Sequence, residues 1–178
     1  PWGWDELEGI ANRGDFDLTQ HAEHSGAKLD FFDQTTNERY TPHVIEPAAG
    51  ATRTMMAFLM AAYDEEQVND DTRVVLRLHH KLAPYKVAVL PLSKKPELAG
   101  PATELFAQLA ERWMCDYDET QNIGKRYRRQ DEIGTPFCVT FDFDSLEDAA
   151  VTVRERDSME QVRLPIADLE AWLAERLA

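Results

Sequence analysis

The sequence predicts an α/β (α+β) chain in two modules, and three observations carry that prediction. Residues 84–178 alternate strand-like apolar runs with amphipathic helical stretches, the pattern of a mixed sheet with flanking helices. Residues 1–83 hold strand-like runs and one strongly apolar helix, too few elements to close a sheet of their own. Leu82, Ala83 and Pro84 break the alternation that precedes them, which gives modules 1–83 and 84–178.

In the first module, Trp4 to Ala11 reads as a partly buried strand that turns at Asn12, Arg13 and Gly14. Asp17 to Gly26 is polar and helix-compatible, and Lys28 to Glu38 reads as a hairpin or loop. Thr41 to Ile45 is a second strand, followed by a small-residue turn and a helix from Arg53 to Tyr63. That helix is apolar nearly all round, which predicts burial against a sheet with Met55, Met56 and Met60 in the core. The acidic run Asp64, Glu65, Glu66, Asp70 and Asp71 reads as a solvated helix end. Val74 to Leu78, with Arg73 and Arg77 in alternation, is a strand.

In the second module, Lys86 to Leu92 is a strand of buried character ending at Pro91. A helix from about Pro101 to Trp113 follows, with Pro101 in its first turn and Leu105, Phe106, Leu109 and Trp113 on one face. Met114 to Tyr117 is a short strand, and Asn122 to Gly134 a basic helix closed by glycine. Phe137 to Phe143 and Ala150 to Arg154 are strands joined by an acidic turn, and Gln161 to Leu164 is one more. Pro165 opens a last helix with Ile166, Leu169, Trp172, Leu173 and Leu177 on one side.

With 178 residues and 43% of them apolar, the chain can build real cores. A formal net charge of -14 argues against a protein that binds nucleic acid by bulk electrostatics. No apolar run approaches the roughly 20 residues of a membrane-spanning helix, and no signal-peptide pattern occurs, so a soluble cytoplasmic protein is expected. Cys115 and Cys138 are too few and too unpatterned for a disulfide framework or a zinc site. His21 and His24 lack a third ligand and read as polar helix residues, while His79 and His80 at the boundary read as exposed. Base gathers at Lys125, Arg126, Arg128 and Arg129, either a local phosphate patch or a solvated helix face. Pro1 enters directly into apolar, aromatic sequence, so the chain reads as part of something longer with strands expected upstream.

The stretch Glu46-Pro47-Ala48-Ala49-Gly50-Ala51-Thr52-Arg53 joins an extended run to an apolar helix. Small residues let backbone N–H groups approach a ligand, a helix start favours negative charge, and a guanidinium grips phosphate oxygens in a fork. A polyphosphate or activated acyl site is one reading; a tight turn followed by a surface arginine is the other.

Taken together, these blocks resemble the homodimeric bacterial glycyl-tRNA synthetases of class II. Trp2 to Arg13 is similar to the family's strand before its third class II motif, Asp15 to His21 to the polar segment after it, and Pro42 to Arg53 to the third motif itself. Leu82 to Leu92, Asn122 to Phe137 and Val151 to Val162 are similar to its anticodon-binding domain. The resemblance implies the end of an antiparallel class II catalytic sheet followed by an anticodon-binding domain with a mixed five-stranded sheet and flanking helices. The implied reaction joins glycine to the α-phosphate of ATP and passes the glycyl group to tRNA(Gly). It runs on positioning and charge neutralisation, with no nucleophile from the chain.

Carried over by position, Glu6 and Arg53 would act on the reacting nucleotide, with Glu6 holding Mg²⁺. Glu6, Leu7, Gly50, Ala51, Thr52 and Arg53 would contact ATP. Glu46, Pro47, Ala48, Ala49 and Gly50 would hold glycine, with Glu46 against its ammonium group. Trp2 and Trp4 would frame the adenylate pocket or pack in a core. The family usually has serine where this chain has Ala48, and losing a hydroxyl bond to a charged group costs about 1.5–3 kcal/mol. Glycine anticodons end in two cytosines, which Asp, Glu and Arg can read while cations hold phosphates. Arg126, Arg128, Arg129, Asp131 and Glu132 are therefore expected at tRNA, with Arg154 and Arg156 behind them. The first two class II motifs are not in these residues. A non-catalytic, synthetase-like accessory subunit that binds nucleic acid is the alternative; a stand-alone tRNA-binding module is the third reading.

Overall fold

The computed structural model describes residues 3–178, so the expectation for Trp2 lies outside the described residues. The chain divides into two compact units, Pro1–Ala57 and Phe58–Ala178.

In the first unit, β1 (Glu8–Gly14) leads into α1 (Phe16–Ser25), which stops at Gly26 in the left-handed region with φ 71°. A hairpin of β2 (Phe31–Asp33) and β3 (Glu38–Tyr40) follows, then β4 (Val44–Ala49). β4 lies antiparallel to β1, with Glu8 opposite Ala49, Gly9 opposite Ala48, Ile10 opposite Pro47 and Ala11 opposite Glu46. The expected turn at Glu46 to Ala49 is therefore strand, and the break falls at Gly50. Each strand of a two-stranded ladder keeps a free edge, where a proline such as Pro47 is tolerated. Trp4 is fully exposed and precedes β1, so it is not the core residue that its sequence setting allowed.

α2 (Ala51–Ala62) starts where the small-residue stretch ends, but it is not buried along its length. Only Ala62 is enclosed, while Met55, Phe58 and Met60 are each at least half exposed. Apolarity belongs to the helix itself; burial needs a sheet laid across it, and none among the described residues covers it. The expectation of Met55 and Met60 as core is corrected accordingly.

The second unit holds the core. β5 (Tyr63–Val68) and β6 (Asp71–Leu76) form a hairpin across Asn69 and Asp70, with Asn69 at φ 57°. The acidic run at Asp64 to Glu66 is thus strand rather than a helix end, because its carboxylates meet Arg73 of β6 and Arg77 just beyond it. β7 (Val87–Pro91) is buried at every residue, as a continuous apolar run predicts for a strand covered on both faces. α3 (Pro96–Ala110) begins at Pro96, one turn and more before the expected start, and carries Pro101 inside it. β8 (Cys115–Tyr117), α4 (Ile123–Ile133), β9 (Phe137–Phe141), the short α5 (Ser145–Asp148), β10 (Ala150–Glu155), β11 (Gln161–Pro165) and α6 (Ile166–Arg176) complete the unit.

The five-stranded sheet runs β11-β10-β9-β7-β8 and is mixed: β7 is parallel to β8 and β9, whereas β10 is antiparallel to β9 and β11. Side chains alternate across it. Val87 and Val89 face a core with Leu98, Leu105 and Leu109 of α3 and Leu169 and Leu173 of α6. Ala88, Leu90 and Cys138 face Ile123 and Tyr127 of α4.

Asn122 caps α4, its side chain accepting from the Lys125 N–H at 2.9 Å, and Gly134 ends it at φ 87°. A Cβ at Gly134 would lie 2.8 Å from the Leu76 carbonyl oxygen, so the hairpin packs directly on the helix terminus. Gly134→Ala is expected to destabilise the protein by at least about 1 kcal/mol, read by denaturant unfolding. An unchanged midpoint would show that β6 does not rest there.

Candidate functional site

Residues opposite one another in an antiparallel ladder share a face, as do residues two apart on one strand. Gly9, Ala11, Glu46 and Ala48 therefore line one face of the β1–β4 pair. The Glu6 carboxylate lies over Gly9, since a Cβ there would sit 3.9 Å from Glu6 Oε1. Two carboxylates thus flank a floor made only of glycine and alanine. Glu46 is 3.5 Å from Arg13 Nε, and Arg13 also grips Asp17, at 2.9 Å through Nη2.

Arg53, in the first turn of α2, donates to the Glu6 carbonyl oxygen and stands 3.6 Å from the Asp5 carboxylate. Gly50 lies at the helix start, its carbonyl accepting from the Thr54 N–H at 2.8 Å. Leu7, Pro47, Ala49, Ala51 and Thr52 are exposed beside this group. A guanidinium and a carboxylate close together suit a phosphate chain carrying Mg²⁺, which takes one or two protein carboxylates and completes its shell with phosphate oxygens and water. Among the described residues no cluster of three or more His, Cys, Asp or Glu side chains is arranged to hold a metal ion by itself.

The basic helix α4 divides its charges. Arg126 is 2% exposed and donates to the Pro91, Thr120 and Gln121 carbonyls, tying the strand end of β7 to the loop before α4. Arg129 holds Asp118 and Thr120 at 2.9 Å. Asp131 is 1% exposed and enclosed by arginines. Lys125 and Glu132 are exposed and Arg128 is half-buried, sharing one face of the helix by their three- and four-residue spacing. Arg128 borders a small cleft of about 180 Å³ with Gly124, Tyr127, Asp131, Arg154 and Met159. The sequence expectation places Arg126 and Asp131 with the outward residues; their polar groups are spent on internal bonds, and Arg129 is tied to Asp118 and Thr120, so Lys125, Arg128 and Glu132 are the accessible charges of this helix.

Behind this face lies a buried ion cluster. Asp131 Oδ2 accepts from Arg73 Nε at 2.8 Å, and Arg154 grips the same carboxylate at 2.8 and 3.1 Å. Arg73, fully enclosed, also donates to Glu66 and to the Arg156 carbonyl. Arg156 donates to the Gly134 carbonyl at 2.8 Å and to Asp157. Burial opposes the Arg73 charge, yet its bonds to Asp131 and Glu66 hold its pKa above the usual value. Nothing in the sequence reading gave Arg73 or Glu66 a role in a site. The available signal was an arginine in phase with buried Val75 on the same strand, an inward position that requires an acidic partner. Burial pushes the Cys138 thiol up to about 12 and Cys115 up to about 11, so both stay protonated.

Residues 86–176 match the sequence profile described as the anticodon binding domain. Over 177 residues the chain is 60% identical to a glycine–tRNA ligase of Bacillus cereus, covering 99% of this chain and 38% of that protein. It is 62% identical over 179 residues to the glycine–tRNA ligase of Corynebacterium efficiens, covering 98% and 39%. The figure for a glycine–tRNA ligase of Staphylococcus aureus is 62% over 178 residues, covering 99% and 38%. The chain therefore spans under two fifths of the length of these relatives. Among the described residues no helix is long and apolar enough to cross a membrane.

Burial opposes the charges of Asp118, Asp142 and Asp157 in the second unit, but hydroxyl, backbone and arginine partners outweigh it and hold all three below the usual carboxylate range. A folded-state pKa below the unfolded one stabilises above the unfolded value and is lost as pH falls through the folded one. The melting temperature is therefore expected to hold from about pH 7 to about pH 5 and to drop below about pH 4. A melting temperature that stays flat to about pH 3 would show these pairs to be energetically idle.

Proposed function

This chain belongs to the anticodon binding domain family through residues 86–176, and from that premise we propose that it is part of a glycine–tRNA ligase. The observation that carries the reading is the β1–β4 face, where Glu6 and Glu46 flank Gly9 and Ala48 with Arg53 beside them. Support comes also from the family match and from the identity to proteins named glycine–tRNA ligase. In the proposed reaction the glycine carboxylate attacks the α-phosphorus of ATP and pyrophosphate leaves. The terminal ribose hydroxyl of tRNA(Gly) then attacks the glycyl carbonyl and AMP leaves.

In this reading Arg53 holds the phosphate chain, and Leu7 with Gly50 to Thr52 lines the nucleotide. Glu46 holds the glycine ammonium on the floor of Ala48 and its neighbours. Glu6 would hold Mg²⁺, which neutralises phosphate charge when bound. We take the functional boundary at residues 83 and 84, which the start of the family match at residue 86 supports. The intact protein is proposed to work in the cytoplasm as a homodimer, a reading that rests on the family resemblance. An accessory subunit without catalysis is the less favoured reading: it has no use for a guanidinium and two carboxylates around a cleared floor.

For the second unit we propose that Arg128, with Lys125 and Arg129 beside it, holds RNA phosphates, and that Tyr127 and Met159 offer a stacking surface at the small cleft. The acidic total charge then confines binding to this patch instead of spreading it over the protein.

In the intact protein, Arg53→Ala should reduce glycine-dependent ATP–pyrophosphate exchange by two orders of magnitude or more, about 3 kcal/mol, with tRNA affinity nearly unchanged. Equal losses in both assays would remove Arg53 from the nucleotide site. Arg128→Ala should weaken tRNA binding and lower the slope of log affinity against log salt by about 0.7, one phosphate contact. An unchanged slope would place RNA elsewhere.

A further inference from the structure

We propose that Arg73 is a positioning residue for the nucleic-acid face, acting through Asp131 on Arg154; the inference rests on the tRNA reading of that face. Arg73 itself is fully enclosed and cannot touch a partner. Its reach is internal. The Asp131 carboxylate accepts one bond from Arg73 at 2.8 Å and a fork from Arg154 at 2.8 and 3.1 Å. A carboxylate has about four lone-pair sites, so three are committed here and its plane is fixed by two guanidinium groups. Arg154 alone would leave the carboxylate free to turn with it.

The orientation passes outward in one further step. The Arg154 guanidinium lies 4.9 Å from the centroid of the Tyr127 ring, and the Tyr127 hydroxyl is 2.6 Å from Thr140 Oγ1. Arg154 and Tyr127 both line the small cleft beside Arg128. The aromatic face of Tyr127 that a nucleotide would meet there is thus aimed, through Arg154, by a hairpin arginine that lies outside the residues matching the family profile.

Removing this aim need not undock the hairpin. β6 also packs on Gly134, and Arg77 binds Asp157 at 3.2 Å. Arg73→Lys keeps the charge, but a single ammonium cannot serve Asp131, Glu66 and the Arg156 carbonyl in one plane as the guanidinium does. It is the informative variant, with Arg73→Met as the second should lysine find a substitute geometry.

The test uses the intact protein with fluorotyrosine at position 127, read by fluorine NMR, together with tRNA binding and ATP–pyrophosphate exchange. Both variants are expected to keep exchange at the wild-type rate and to shift or broaden the position 127 signal. Each should also lose about tenfold in preference for tRNA(Gly) over a transcript with its two anticodon cytosines replaced. An unmoved signal with unchanged preference in both variants overturns the proposal. A parallel fall in exchange, preference and melting temperature also overturns it, by assigning Arg73 to stability alone. If the wild-type protein shows no anticodon preference, the tRNA reading fails, and the fluorine signal by itself then decides whether Arg73 positions the cleft.

Discussion

A single carboxylate, Asp131, held out of water between Arg73 and Arg154, organises the second unit. A buried ion pair is weak evidence of net stability, because desolvation offsets the attraction. Once formed, however, it demands every partner: removing one leaves an uncompensated charge at a cost of about 3–5 kcal/mol. The cluster therefore acts as a specification. Arg73 comes from the β5–β6 hairpin, Asp131 from α4 and Arg154 from β10, so these three elements have one register in which all the charges are met. Glu66, Arg77, Arg156 and Asp157 extend the same pairing toward the surface. Gly134 makes the arrangement sterically possible, since any side chain there would collide with Leu76.

This arrangement decides which charges of α4 stay accessible. α4 turns Arg126 inward to cap carbonyls, gives Asp131 to the cluster, and leaves Lys125, Arg128 and Glu132 on its accessible side. The sheet beneath supplies rigidity through a core that lies wholly within Phe58–Ala178. The first unit works on a different principle. It has almost no core, and its β1–β4 ladder clears a floor of glycine and alanine between two carboxylates, with a guanidinium alongside. Positioning and charge, not a nucleophile, are what such a face can supply.

Much of this was legible in sequence where a local pattern has one structural meaning. Lys86 to Leu92 reads as a central strand because only a strand covered on both faces is apolar throughout. Asn122 and Gly134 bracket α4 because a capping side chain and a left-handed stop are local requirements. Legibility ended where partners lie far away in the chain. Asp64 to Glu66 reads as solvated helix until Arg73 and Arg77 are placed against it. Met55 and Met60 read as core because apolarity does not say whether anything covers a helix. Arg126, Arg128 and Asp131 all read as charged helix positions in sequence, and only the fold separates those that bind carbonyls and arginines from those that face solvent.

The most direct test of this account is a structure of the intact protein bound to tRNA(Gly). The account predicts anticodon nucleotides seated against Tyr127, Arg128 and Met159, with Arg126 and Asp131 still bonded within the protein. RNA lying instead across α3 and α6, or an Asp131 carboxylate released from Arg73 to meet a base, would contradict it.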